Sequence, residues 1–188
     1  MDRREALKRT ALMVGGIVSA PTIIGILNGC TAKPTIDWKP AFFSNEQGIL
    51  VETLADIIIP KTDTPGAKDV GVPGFIDSML KDVFTKEDQE TFMNGLKAFD
   101  VAAENEYGDP FIKLSPKQQS EYVTKTHSAA IKEEGRPFIL WMKELTVAGF
   151  FTSQAGATQV LQYEAVPGAY HGCLPIKEAG NGKTWATS

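Results

Sequence analysis

The sequence predicts one small all-α domain of about five helices, closed by an irregular Gly/Pro-rich C-terminal segment. Three observations carry that prediction. Apolar residues recur at helical spacing in several windows, capping signals stand where those windows begin, and Gly and Pro mark the gaps between them. The longest strand-like alternation is Gln159–Tyr163, too little for a sheet.

Each element has its own signal. Ser44-x-x-Gln47 has the capping-box form, and Ile49, Leu50, Thr53, Leu54, Ile57 and Ile58 follow, so a helix is predicted over 45–58 and stopped before Pro60. Pro60 to Gly74 is rich in turn residues, with Thr62, Asp63 and Thr64 placed to cap backbone N–H groups. A short helix is predicted from about Pro73 to Phe84, with Phe75, Ile76, Met79, Leu80 and Val83 on one side. Thr85 caps a longer helix over Lys86–Tyr107, striped by Phe92, Leu96, Phe99 and Ala103 and ended by Gly108-Asp109-Pro110. Ser115-Pro116-Lys117-Gln118 is a second capping box with Pro at the first helical position, opening a helix to about Lys132. After Gly135-Arg136-Pro137, Phe138 to about Phe151 reads as an apolar helix containing Trp141. From Ser153 onward no helical period survives.

The N-terminus has the form of an export leader. A basic head (Arg3, Arg4, Lys8, Arg9) precedes an uncharged run over 11–27, then Leu27-Asn28-Gly29-Cys30. Arg3 and Arg4 followed by Leu7 and Lys8 read as a twin-arginine signal, which implies the translocase that moves folded cargo as a partner during export. Asp2 and Ala6 depart from that pattern, and an ordinary secretory signal in which the arginines merely supply charge is the competing reading. Leu27-x-Gly29-Cys30 reads as a lipobox, with Asn28 as its departure. Cleavage there leaves Cys30 as a lipidated first residue, and the protein on the periplasmic side of the cell envelope. Gly15, Gly16, Ser19, Pro21 and Gly25 make the apolar run a poor permanent span. The expected organisation is a signal peptide over 1–29, a linker over 30–42 and the helical domain over 43–188.

Charge and cysteine count narrow the partners. Removing residues 1–29 takes four basic and two acidic side chains and moves the formal charge from −4 to −6. A mildly acidic chain whose only arginine after the leader is Arg136 argues against nucleic acid, since phosphate neutralisation needs clustered Lys and Arg. A lipidated Cys30 leaves Cys173 alone in an oxidising compartment, where a buried inert thiol and an intermolecular bond are the alternatives; an unlipidated Cys30 opens a Cys30–Cys173 disulfide.

The chain has little with which to catalyse. There is no Gly-x-Gly-x-x-Gly turn and no Cys-x-x-Cys-His haem motif, and Gly182-Lys183-Thr184 lacks both the first glycine and the following helix of a phosphate loop. His127 and His171 are the only imidazoles. His171-x-Cys173 offers two soft ligands where a closed zinc site needs about four, and His127 reads as a solvated surface residue. Asp63 and Asp69 do not follow a calcium-loop spacing. No catalytic residue, metal ligand or cofactor is assigned to this chain. The aromatics Trp38, Phe42, Phe43, Trp141, Phe150, Phe151, Tyr163 and Tyr170 divide between core and, for the tail, interface anchors.

Two stretches carry a family resemblance. Ile58-Ile59-Pro60-Lys61-Thr62-Asp63-Thr64-Pro65-Gly66-Ala67 continues into Gly71-Val72-Pro73-Gly74-Phe75-Ile76-Asp77. Near the end stand Val160-Leu161-Gln162-Tyr163 and Pro167-Gly168-Ala169-Tyr170-His171-Gly172-Cys173. From about Phe43 to Pro175 the chain resembles the gluconate 2-dehydrogenase subunit 3 family. The resemblance implies a non-catalytic accessory subunit and export escort, a chaperone-like role. Its partner would be a large FAD-dependent sugar or polyol dehydrogenase subunit of the glucose–methanol–choline type, with haem c in a cytochrome c subunit. The expected partner-binding residues are Thr62, Asp63, Thr64, Pro65 and Gly66 in the first motif, and Tyr163, Gly168, Tyr170 and Cys173 in the second. The rival expectation is a free-standing envelope lipoprotein that binds or scaffolds.

Overall fold

The computed structural model describes residues 36–163 continuously and, beyond them, residues 166, 168, 173, 175, 177, 178 and 182–186. The expectations for Arg3, Arg4, Leu7, Lys8, Cys30, Tyr170 and His171 fall outside the described residues.

Five α-helices form among the described residues: α1 Asn45–Ile58, α2 Val72–Asp82, α3 Lys86–Tyr107, α4 Pro116–Ala130 and α5 Phe138–Thr152. Both capping boxes are made. Ser44 and Ser115 each accept from the N–H three residues on, while Gln47 and Gln118 reach back to the cap N–H. Thr85 caps α3 alone, accepting from Asp88 N–H at 3.2 Å. Two helices are shorter than expected: α2 stops at Asp82, and α4 at Ala130, where a turn takes over.

The chain departs from expectation in two further places. The alternation at Gln159–Tyr163 makes no strand. Gly156–Val160 is instead a π turn, and Gln162 enters only an isolated parallel bridge with Trp185. A Cβ at Gly156 would fall on the carbonyl oxygen of Phe150, so this tight turn admits only glycine. Phe111–Lys113 is a short 3-10 turn with no clear sequence signal. Asp100 Oδ1 accepts its first N–H at 2.9 Å and Gln119 Nε2 donates to the Phe111 carbonyl at 3.0 Å, which holds the Phe111 ring in the core.

Helix α5 is the centre of the domain and packs against the other four. Ile139, Trp141, Met142, Leu145, Thr146, Gly149 and Phe150 are all buried, leaving an outward strip at Lys143, Glu144, Val147, Ala148 and Thr152. A Cβ on Gly149 would lie 2.6 Å from Phe75 Cδ1, so this glycine lets α2 close against α5. Phe92 meets Phe138 and Trp141 edge-on at 5.2 and 5.3 Å, and Phe99 meets Phe111 at 5.1 Å. Such pairs contribute about 0.5–1.5 kcal/mol each beyond their buried area.

Four polar side chains are buried among the described residues, and each has partners. Thr146 donates to Met142 O, and Gln89 Nε2 donates to Leu80 O and Phe84 O at the end of α2. The carboxylates, Asp77 and Glu52, hold the N-terminal segment. Asp77 on α2 accepts from three consecutive backbone N–H groups, those of Ala41, Phe42 and Phe43, at 2.8–3.2 Å. Glu52 on α1 accepts from Trp38 Nε1 at 3.0 Å and pairs with Lys68 at 2.7 Å. Much of the expected 30–42 linker is thereby strapped to the helices from Ile36 on. Its aromatics Trp38 and Phe42 pack against the core, which Phe43 enters.

Removing the Asp77 carboxylate leaves three N–H groups without their ionised acceptor. Asp77→Ala is expected to lower stability by about 3 kcal/mol, and Asp77→Asn, which keeps one neutral acceptor, by roughly half that, read from urea unfolding. A second expectation concerns pH. Burial pushes the Tyr122 hydroxyl above the ordinary tyrosine range, and that hydroxyl donates to Phe99 O at 3.0 Å. A folded pKa above the unfolded one favours the fold fully below the unfolded value and loses that contribution as pH rises through the folded value. Tyr122→Phe should therefore flatten part of the fall in stability above about pH 10, seen in unfolding at a series of alkaline pH values.

Candidate functional site

The first expected contact region is the loop between α1 and α2. α1 ends because Ile59 leaves helical geometry (φ −131°, ψ 85°) ahead of Pro60. The loop then closes on itself: Ala67 N–H donates to Ile59 O at 2.9 Å, Thr62 N–H to Thr64 O at 3.0 Å, and Val72 N–H to Ala67 O at 3.0 Å. Gly66 is buried where the chain crosses itself. A Cβ there would lie 2.7 Å from Lys61 N and 3.1 Å from Ile59 O, both backbone atoms that cannot move aside. Gly71, at φ +78°, turns the chain into α2, and Pro73 sits in its first turn.

The capping expected of Thr62, Asp63 and Thr64 is performed by Asp69. Its Oδ2 accepts from Gly66 N–H at 3.0 Å and lies 3.4 Å from Lys61 Nζ. The Gly66 N–H holds the Asp69 carboxyl below the usual carboxylate range, and Lys61 adds to the effect. Lys68 is held above the ordinary lysine range by its hydrogen bond to Glu52. Thr62 and Asp63 consequently point to solvent, Thr64 and Pro65 are half-buried, and Gly66 with Ala67 forms the floor. The loop presents a fixed surface.

The second region is the tail. Gln162 N–H donates to Thr184 O and Ala186 N–H to Gln162 O, each at 2.8 Å, so residues 184–186 lie alongside the segment after the π turn. Tyr163, Val166 and Trp185 are exposed by 58 %, 79 % and 41 %. Gly168 is exposed at φ +72°. Cys173 is exposed, and unpaired among the described residues, which corrects the buried-thiol alternative. Among the described residues no hydrogen bond or ion pair joins the Thr62–Gly66 loop to this tail.

His127 is not simply solvated. It is half-buried, and its Nε2 lies 3.0 Å from Lys143 Nζ. The pair borders a shallow pocket of about 190 Å³ walled by Ile58, Val123 and Ile139. A larger groove of about 520 Å³ between α1 and α3 is lined by Glu46, Leu50, Met93, Lys97, Asp100 and Ile112. Neither contains a Ser or Cys beside a base. No group of three or more His, Cys, Asp or Glu capable of holding a metal is found among the described residues. No described helix is long and apolar enough to cross a membrane.

The described residues form a helical domain with a loop closed on its own backbone and a tail that carries exposed aromatic side chains. The family model for gluconate 2-dehydrogenase subunit 3 matches residues 45–168, and the chain belongs to that family. No curated protein and no solved structure matches it. Membership makes the chain an accessory subunit in kind, of a gluconate dehydrogenase complex. The matched region begins after the strap and ends at Gly168, so it takes in the loop and the first part of the tail.

The loop is sensitive at one point in particular. Gly66→Ala is expected to cost about 2 kcal/mol and to speed amide exchange at Ala67, because the added methyl has only backbone to push against. The exposed Thr62→Ala should shift stability by less than about 0.5 kcal/mol, so its effect, if any, belongs to binding.

Proposed function

We propose that this chain is the non-catalytic small subunit of a membrane-associated, FAD-dependent sugar or polyol dehydrogenase on the periplasmic side of the envelope. The catalytic subunit, of the glucose–methanol–choline type, holds the flavin, and a cytochrome c subunit takes the electrons. The small subunit escorts its partner through the twin-arginine translocase by Arg3 and Arg4 and then remains bound as a structural partner. Lipids on Cys30 anchor it. Flavin is inserted in the cytoplasm into a folded protein, and a folded cargo needs an exporter that accepts it folded.

One observation supports the partner role above others, beside family membership: Tyr163 and Trp185 stand exposed at the Gln162–Trp185 pairing, and Val166 is exposed as well. Aromatic and aliphatic side chains held in place but uncovered are suited to becoming buried anchors in a complex.

Truncation must respect the packing of the π turn. Gly156 is buried and Val160 packs on the core, so a cut after Gln162 is preferable to one after Ser153. The cut after Gln162 should keep the helical circular dichroism and abolish co-purification of the flavoprotein. An undiminished complex would move the binding surface to the helices or the loop. Replacing Arg3 and Arg4 with Lys should leave both subunits in the cytoplasm, measured by fractionation; continued export through the general secretory channel would refute the escort role.

A further inference from the structure

The strap over Ile36–Phe43 constrains how the domain stands at a membrane. It is fixed at two points, by Asp77 on α2 and by Glu52 on α1 through Trp38. Ile36 and Trp38 lie against Gly48 of α1, where a Cβ would come within 3.1 Å of Ile36 Cδ1 and 3.5 Å of Trp38 Cζ2. Helix α4 takes no part in these contacts. Between Cys30 and Ile36 only residues 31–35 intervene. Six Cα-to-Cα steps, at their fullest extension, reach about 20 Å.

We propose that the strap-bearing face, made of Ile36–Phe43, α2 and the first turns of α1, stands against the lipid surface no more than about 20 Å from it. The inference rests on the reading of Cys30 as the acylated residue. Because the strap is pinned to the helices by five hydrogen bonds to buried carboxylates and by a core-packed indole, the short tether acts on this face and keeps it the one nearest the lipid. Electrostatic attraction does not set the orientation. Asp37, Lys39 and Asp56 are exposed with mixed sign, and Lys68 is occupied by Glu52. The strap itself is the orienting device. Lys68 also joins the Pro60–Gly71 loop to this face, because Glu52 binds Lys68 with one oxygen and Trp38 with the other. A partner docking on Thr62–Gly66 would therefore be held near the bilayer.

The test places a fluorophore on Ser78→Cys, exposed on α2, or on Glu121→Cys, exposed on α4, in the full chain carrying Cys173→Ser. Energy transfer is read to an acceptor-labelled lipid in native membrane vesicles. Transfer from position 78 is expected to exceed that from position 121. A Gly/Ser insert of twenty residues after Thr31 adds a root-mean-square reach of about 25 Å and should lower transfer from 78 until the two positions converge. Equal transfer from both positions with the native spacer, or transfer from 78 unchanged by the insert, overturns the orientation. Mass spectrometry of the same membranes separates the two readings. Acyl groups on Cys30 with either of those results refute the orientation alone, whereas their absence refutes the anchor and this inference with it.

Discussion

Burial of α5 is the constraint on which the domain depends. Its apolar side chains face in nearly every direction, so no single neighbour can cover it, and α1 to α4 all have to pack around it. Fully burying a large apolar side chain stabilises by about 1.5–3 kcal/mol, and Ile139, Trp141, Met142, Leu145 and Phe150 are all at or below 5 % exposure. The small residues follow from this. Gly149 stands where Phe75 meets α5, and any side chain there would separate α2 from the helix it must cover.

Around that centre, side-chain acceptors organise the non-helical chain. Asp77, Glu52, Asp69 and Asp100 each accept from N–H groups that no helix or sheet can satisfy: the strap, the Trp38 indole, the crossing at Gly66 and the Phe111 turn. An unpaired buried N–H costs about 1–3 kcal/mol, so these acceptors set which loop conformations are accessible. Among the described residues two buried groups are exceptions, Gln162 Oε1 and the Trp141 indole. For Trp141 the cover is of another kind. Its Nε1 has no partner, and the ring is instead covered by the Arg136 guanidinium 4.2 Å from its centre.

The loop and the tail differ physically as binding surfaces. The loop is closed by its own backbone and floored by Gly66 and Ala67, so a partner meeting it orders little that is not already ordered. The described part of the tail is held at Gln162 but carries its large side chains outward. A complex using both would combine a preformed contact with anchors whose burial is gained only on assembly.

The helices were legible because their signals are local. Ser44 with Gln47, and Ser115 with Gln118, satisfy orphan N–H groups within one turn, and the Phe92–Leu96–Phe99–Ala103 stripe needs no knowledge of what covers it. The Thr62–Gly66 segment was legible as a turn for the same reason, and its family membership followed from the motif. The tertiary structure alone decided the rest. Asp77 looks like any helical aspartate until three N–H groups from 34 to 36 residues earlier converge on it. Gly66 looks like turn punctuation until Lys61 and Ile59 are seen to occupy the space of its Cβ, and Asp69 replaces Asp63 as the loop's acceptor because only its carboxylate reaches Gly66 N–H. Local capping and periodicity act within a few residues, whereas contacts across the fold depend on where α5 brings distant segments together.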